Sequence, residues 1–285
     1  MALLDYTVNK NAFGVRIHGI NLAAPMTADT ILKIQHLFQQ YKLIIFEHQT
    51  LNDEQLCSFA HRFGPPFHST RDNPVLGGEE QLPSIIIVGN QADEYEKTYL
   101  GHMEVLPHSD HQWLRCPSSA SLLYAVDIAQ DSASTTWTDM VAAYSLLDDS
   151  TKARINTLKL VTYNPFHRPF GSILARYVNS QIEVVPGEVY PHPLVRTHPV
   201  TGEKILYLHA AYEMELLGVA YNEGAELIDT LHKHMSNIEC KYEHSWKNGD
   251  VVMWDNQATV HYRPEFDKAV RRVLKRVSIA GGIPF

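Results

Sequence analysis

At 285 residues, 45% hydrophobic and 20% charged, the chain is long enough to bury a sizeable core, and its composition is that of a folded globular protein rather than a disordered or fibrous one. A net charge of −8 argues against a nucleic-acid or anionic-membrane surface as partner. Cys57, Cys116 and Cys240 are too few and too widely spaced for a disulfide framework or a zinc knuckle, which points to reduced thiols in a cytoplasmic protein. The N-terminal residues carry an acid at Asp5 and no basic segment, so no secretory signal is read there. No apolar run approaches the roughly 18 residues of a membrane span.

In chain order, residues 5–20 alternate around a turn at Asn11–Gly14 and predict a β-hairpin. Thr27 caps a predicted helix on which Ile31, Ile34, Leu37, Phe38 and Tyr41 recur at helical spacing. Leu43 to Phe46 is short and β-branched and reads as a buried strand, and Asn52 caps a second helix that ends at Gly64-Pro65-Pro66. Ile85 to Val88 is a strand between two long loops, and strands are predicted near 105–112, 120–127, 134–138 and 159–163. Helices are expected at Asp139–Leu147, Ser150–Leu158, Ser172–Val178 and about 222–237. A hairpin spans Pro193–Leu208, and strands at 240–246, 249–254, 258–262 and 270–280 close the chain. The pattern is mainly β with flanking helices and suits a double-sheet jelly roll. We read one domain over 1–285, with a helical N-terminal part and insertions near 67–101 and 164–192.

The chemistry concentrates in the segment from Leu106 to Trp113. Read as a strand, it turns His108 and Asp110 to one face and Ser109 and His111 to the other. One imidazole and one carboxylate make two-thirds of a metal site, and His261, about 150 residues further along, could complete it. Two histidines and a carboxylate on one face of an octahedral ion leave three positions open, which non-haem Fe(II) needs to hold a co-substrate and O₂ together. With 16 histidines in the chain such a pair is easily found by chance, so the reading leans on what accompanies it. On the last predicted strand Arg272 and Arg276 share a face, where two guanidinium forks could engage two anions; the bland reading is a solvated basic edge strand.

Taken together, His108-Ser109-Asp110, Trp254-Asp255-Asn256 followed by His261, the Arg272 and Arg276 pair, the segment His192–Glu203, the opening Gly14–Asn21 hairpin and the run Phe59–Gly64 resemble the taurine/2-oxoglutarate dioxygenase family, which includes taurine and 2,4-dichlorophenoxyacetate dioxygenases. That resemblance spans nearly the whole chain. It implies a double-stranded β-helix (jelly roll) core and an Fe(II)- and 2-oxoglutarate-dependent dioxygenase that releases succinate and CO₂ as O₂ oxidises a small anionic or zwitterionic substrate. It also implies iron ligation by His108, Asp110 and His261, and a clamp on the distal carboxylate of 2-oxoglutarate by Arg272, assisted by Thr135. Thr135 lies in Ser132-Ala133-Ser134-Thr135, which lacks the glycines of the family's Gly-Gly-Asp-Thr box. For the substrate the resemblance nominates Arg276, Tyr212, Glu104 and His68. The only expected partner is a small molecule, with no nucleic acid and no membrane, and there is room for a homo-oligomer. The competing readings are a cupin-like metal- or ligand-binding sensor without turnover, and a zinc hydrolase using the same three ligands.

Overall fold

In a computed structural model, residues 4–67, 85–91, 98–162, 190–210 and 213–285 are described. The opening follows the sequence pattern closely. Strands β1 (Tyr6–Val8) and β2 (Val15–Ile17) pair as an antiparallel hairpin. Thr27 accepts a hydrogen bond from the Thr30 N–H and starts helix α1 (Ala28–Tyr41), and Lys42 ends it in the left-handed region at φ +62°. After β3 (Leu43–Phe46), Asn52 and Gln55 form a reciprocal capping box at the start of α2 (Asp53–Ala60). The chain continues through β4 (Ile85–Gly89), β5 (Tyr99–Leu100), β6 (Val105–His108), β7 (Ala120–Ile128) and β8 (Thr135–Asp139). Helices α3 (Met140–Ser145) and α4 (Asp149–Ile155) then precede β9 (Lys159–Thr162), β10 (Pro191–Pro193), β11 (Val195–Thr197), β12 (Lys204–Leu206) and β13 (Glu213–Leu216). Helix α5 (Tyr221–Asn237) leads into β14 (Lys241–His244), β15 (Val251–Asp255), β16 (Thr259–Arg263) and β17 (Arg272–Ile279). Among the described residues no helix is long and apolar enough to cross a membrane.

The architecture is mainly β with flanking helices. One eight-stranded sheet runs β1-β2-β3-β15-β7-β17-β4-β5, and a four-stranded sheet runs β14-β8-β16-β6. The alternation of side chains decides what each face of the large sheet meets. Ile44 and Phe46 of β3, Leu122 and Tyr124 of β7, and Val251 and Met253 of β15 pack with Ile34 and Leu37 of α1 and Leu56 and Phe59 of α2. Their neighbours Leu43, Ile45, Leu123, Ala125, Val252 and Trp254 face the other way and pack with Trp137 of β8 and Leu274 of β17. Burial on both faces is why these strands read as unbroken apolar runs. A third cluster joins α3 and α5 to β11, β12 and Val260 of β16.

Three expectations need correction. The strand predicted over 105–112 ends at His108; Ser109 to Trp113 form a turn in which His111 sits at φ +62°. The helix expected from Asp139 is present but shorter, Met140–Ser145: Asp139 closes β8 and caps α3 by accepting the Val141 and Ala142 N–H groups. Strand β13 is not apparent in the sequence because one of its buried positions is an acid, Glu213, whose Oε1 lies 2.9 Å from His232 Nε2 of α5. The helix expected at 172–178 lies outside the described residues.

The packing of α2 rests on Phe59, 1% exposed and edge-on to Phe46 with ring centroids 5.4 Å apart. Phe59→Ala is expected to cost about 3–5 kcal/mol of unfolding free energy, read by denaturant titration of the metal-free protein; a loss under about 1 kcal/mol would show that α2 does not carry this face of the sheet.

Candidate metal centre

His108 is the last residue of β6 and His261 the middle of β16, and the two strands pair so that these residues stand directly opposite each other. Register therefore brings the two imidazoles together, with ring centroids 4.2 Å apart. His108 Nδ1 donates to the Leu106 carbonyl at 2.7 Å, which leaves the lone pair of Nε2 turned toward the cluster. Asp110 lies just past the strand end, with Oδ1 3.9 Å from His108 Nε2 and 4.0 Å from His261 Nε2. One donor atom from each of the three residues falls within 4.8 Å of the others, and all three side chains are buried. A buried set of two imidazoles and one carboxylate fits a divalent transition metal such as Fe(II) or Mn(II).

Electrostatics prepare the set for a cation. Burial pushes His261 down to about 3, reinforced by the neighbouring His108, and burial also lowers His108. Burial alone would raise Asp110, but Arg276 first, then the surrounding histidines, hold it well below the usual carboxylate range. Because the imidazoles are neutral at neutral pH, the permanent charge of Arg276 is the one that counts. Its Nη1 donates to Asp110 Oδ1 at 2.7 Å, while Ser121 Oγ of β7 donates to Asp110 Oδ2 at 2.7 Å. The three side chains are thus in the protonation state that metal binding requires, with no proton having to leave.

Arg272 and Arg276 point into the space between the two sheets. Strand β17 is flanked by β7 and β4, so the edge-strand reading fails. A cavity there is lined by both arginines together with His108, His261, Thr135, Arg263 and the apolar Val88, Leu100, Val105, Leu123 and Trp254. Arg272 is 1% exposed; its Nε donates to the Ala133 carbonyl and its Nη2 to Thr135 Oγ1, and its Nη1 is buried with no hydrogen-bond partner among the described residues. Burial, with Arg263 nearby, lowers Arg272 to about 9, so it remains a cation at neutral pH. Thr135 Oγ1 also accepts from Trp246 Nε1 at 2.9 Å. With both lone pairs engaged by N–H donors, its O–H is left to donate to a carboxylate. The backbone of Arg272 is held just as closely: Asn90 Oδ1 accepts its N–H, and a Cβ on Gly89 would lie 2.1 Å from its carbonyl oxygen.

The remaining candidates divide. Glu104 is exposed, accepts from Tyr262 Oη at 2.8 Å and does not line the cavity, so it is left out of the candidate substrate site. His68 and Tyr212 lie outside the described residues. His198 Nε2 donates to Asp255 Oδ2, His244 Nε2 lies 2.9 Å from Asp250 Oδ2, and His192 Nε2 donates to the Leu114 carbonyl, all structural bonds. Two participants escaped the sequence reading. Arg263 donates to the carbonyls of Leu100, Gly101 and Met103, tying the approach to β6 against the cavity. It stands two residues after His261, so period-two alternation was the available signal. Asn256, quoted only as part of a motif, brackets the Asp110 peptide.

The chain matches the model of the taurine catabolism dioxygenase TauD, TfdA family over residues 5–278. It is 28% identical over 290 residues to the alpha-ketoglutarate-dependent sulfate ester dioxygenase of Pseudomonas putida, covering 99% of this chain and 91% of that one. It is also 28% identical over 273 residues to the alpha-ketoglutarate-dependent 2,4-dichlorophenoxyacetate dioxygenase of Cupriavidus pinatubonensis, covering 93% and 94% of the two chains. Among solved structures it resembles a taurine dioxygenase from Burkholderia xenovorans, with a TM-score of 0.78 at 25% identity over 99% of this chain and 92% of that one. It likewise resembles AAD-2 in complex with Mn(II) and N-oxalylglycine, with a TM-score of 0.76 at 26% identity over 99% of both chains.

A neutral buried histidine binds fewer protons than it does unfolded, where its value is about 6.5. His261 and His111, both lowered to about 3 chiefly by burial, therefore withdraw stability as pH falls below about 6.5. Each contributes a slope of up to about 1.4 kcal/mol per pH unit. In the metal-free protein, unfolding free energy against pH from 6 to 4 should be shallower by about one such slope in His261→Gln than in wild type; equal slopes would mean that His261 is not held neutral.

Proposed function

Because the chain belongs to the taurine catabolism dioxygenase TauD, TfdA family and is a 2-oxoglutarate-dependent dioxygenase, we propose that His108, Asp110 and His261 hold its Fe(II) and that Arg272 and Thr135 hold its 2-oxoglutarate. The observation that carries this reading is Nη1 of Arg272, buried and without a partner among the described residues, in the same cavity wall as His108 and His261. A buried guanidinium nitrogen left without a partner is costly, and a carboxylate accepting from Nη1 and from the Thr135 hydroxyl would satisfy it. We read residues 1–285 as one such domain with a double-stranded β-helix core, the facing sheets and the described free thiols supporting that fold and a cytoplasmic setting.

When bound, Fe(II) supplies the redox centre at which O₂ oxidatively decarboxylates 2-oxoglutarate to succinate and CO₂ and oxidises the substrate. The residues of the chain do the rest. Arg272 fixes one end of the co-substrate through its charged fork, and Thr135 adds a neutral donor beside it. Val88, Val105, Leu123 and Trp254 form an apolar wall that excludes water from the reacting region. Arg276, whose Nε is buried without a partner among the described residues, offers a second anion contact next to the ligand carboxylate.

We further propose a small anionic substrate. Arg276 lines the cavity with Arg263 and Arg272; its Nη1 is paired with Asp110, but its Nε is buried without a partner among the described residues and suits an anionic group. The relatives act on sulfate esters and on 2,4-dichlorophenoxyacetate, which are anions. Arg276 is the proposed anchor; the family resemblance adds His68 and Tyr212.

Anaerobic addition of Fe(II) and 2-oxoglutarate should give a weak visible charge-transfer band that His108→Ala abolishes, and O₂ should then release succinate. Tight zinc binding without that band would overturn the assignment. Arg272→Gln should weaken 2-oxoglutarate on the order of 10- to 100-fold in a direct binding titration while leaving metal affinity unchanged, as expected for losing a charged hydrogen-bond pair; an unchanged co-substrate affinity would place the dicarboxylate elsewhere. Among sulfate esters, sulfonates and aryloxy carboxylates, at least one class should stimulate succinate release, and Arg276→Leu should remove the stimulation. Stimulation by uncharged analogues alone would rule out an anion anchor.

A further inference from the structure

Of the three candidate ligands, only the histidines stand on paired strands. The ladder of β6 and β16 places His108 and His261, but it ends before Asp110, whose peptide lies in the turn from Ser109 to Trp113. A ligand outside regular structure needs its position fixed by something else. One side chain does this from 146 residues away. Asn256 Oδ1 accepts the Asp110 N–H at 2.9 Å, and Asn256 Nδ2 donates to the Asp110 carbonyl at 3.0 Å, so a single amide grips both faces of the ligand's backbone.

The amide is itself saturated. Its Oδ1 also accepts from Trp254 Nε1 at 3.3 Å, and its Nδ2 reaches Ser118 Oγ at 2.7 Å and the Ser118 carbonyl at 3.3 Å. The Asn256 N–H donates to the Ser119 carbonyl, which anchors the residue to the strand entering the large sheet. Since the atom facing the Asp110 N–H must be an acceptor, the orientation of the amide is set by its partners. Asn256 is 2% exposed, so no water competes for these bonds. From Asn256 to Asp110 the chain of contacts is short and rigid, and the Asp110 carboxylate is the group aimed at the two imidazoles.

We propose that Asn256 is a positioning residue for the metal centre: it holds the Asp110 peptide at the height where the carboxylate meets His108 and His261, and so sets metal affinity without touching the metal. This rests on the ligand assignment proposed above. Outer contacts that orient a ligand are commonly worth about 10- to 100-fold in metal affinity.

The test is an anaerobic Co(II) titration of the full chain, followed by the visible d–d band of the bound ion, in wild type, Asn256→Ala, Asp110→Ala and the double variant. Asn256→Ala should weaken Co(II) by about 10-fold or more and alter the band, while adding the same change to Asp110→Ala should move affinity by less than about twofold. Equal losses in both backgrounds would mean that Asn256 acts on the fold in general, and no loss in the wild-type background would mean that it positions nothing; either result overturns the proposal. If Asn256→Ala does not fold, Asn256→Asp is used. It keeps the acceptor for the Asp110 N–H but turns the donor into a second acceptor, and is judged by the same two outcomes. A wild-type protein whose Co(II) affinity is insensitive to His108→Ala would instead overturn the ligand assignment itself, and is told apart by that variant.

Discussion

A carboxylate buried between two sheets is the constraint on which this architecture turns. Asp110 is 3% exposed, and an ionised acid so far from water is tolerable only when its oxygens are met by charge and by donors. The chain meets them with the Arg276 guanidinium from β17 and the Ser121 hydroxyl from β7, while the neutral imidazoles of β6 and β16 stand 3.9 and 4.0 Å away. Both partners belong to the eight-stranded sheet, whereas Asp110 follows β6 of the four-stranded sheet, so the carboxylate keeps its charge only where the two sheets are closed against each other. The same arrangement that makes the acid affordable puts two neutral imidazoles around it, which is what a divalent cation requires.

The large sheet provides the rigidity this demands. Its central strands β3, β7 and β15 are apolar on both faces, one packed with α1 and α2 and the other with Trp137 and Trp246. Trp137 and Trp254 lie with ring centroids 5.6 Å apart, and Trp254 also packs 5.0 Å from the His261 ring. The indoles therefore serve the core and the site at once: Trp246 donates to Thr135, Trp254 to Asn256. A loosened core would be felt directly at His261 and Asn256.

Much of this was legible in the sequence because it is local. The alternation of β17 put Arg272 and Arg276 on one face, the run Leu43–Phe46 announced a strand buried on both sides, and Thr27 and Asn52 announced their helices. Residue type and spacing nominate His108 and His261, but their facing register is a long-range property that no window contains. The expectation that Asp110 shares a strand face with His108 does not hold: β6 ends at His108, and Asp110 reaches the cluster from the turn that follows, in which His111 has a left-handed backbone. The roles of Arg263 and Asn256 do not show in the sequence, since their partners are backbone groups far along the chain. Buried Glu213 hid β13 for a related reason, its pairing with His232 being visible only in three dimensions.

The most direct measurement is a crystal structure of the protein prepared anaerobically with Mn(II) and N-oxalylglycine, a non-reacting mimic of 2-oxoglutarate, with anomalous data to locate the metal. One manganese peak bounded by His108 Nε2, Asp110 Oδ1 and His261 Nε2, with the far carboxylate of the mimic on Arg272, is the predicted result. A peak away from those three atoms, or a mimic whose carboxylate lies elsewhere than Arg272, would contradict it.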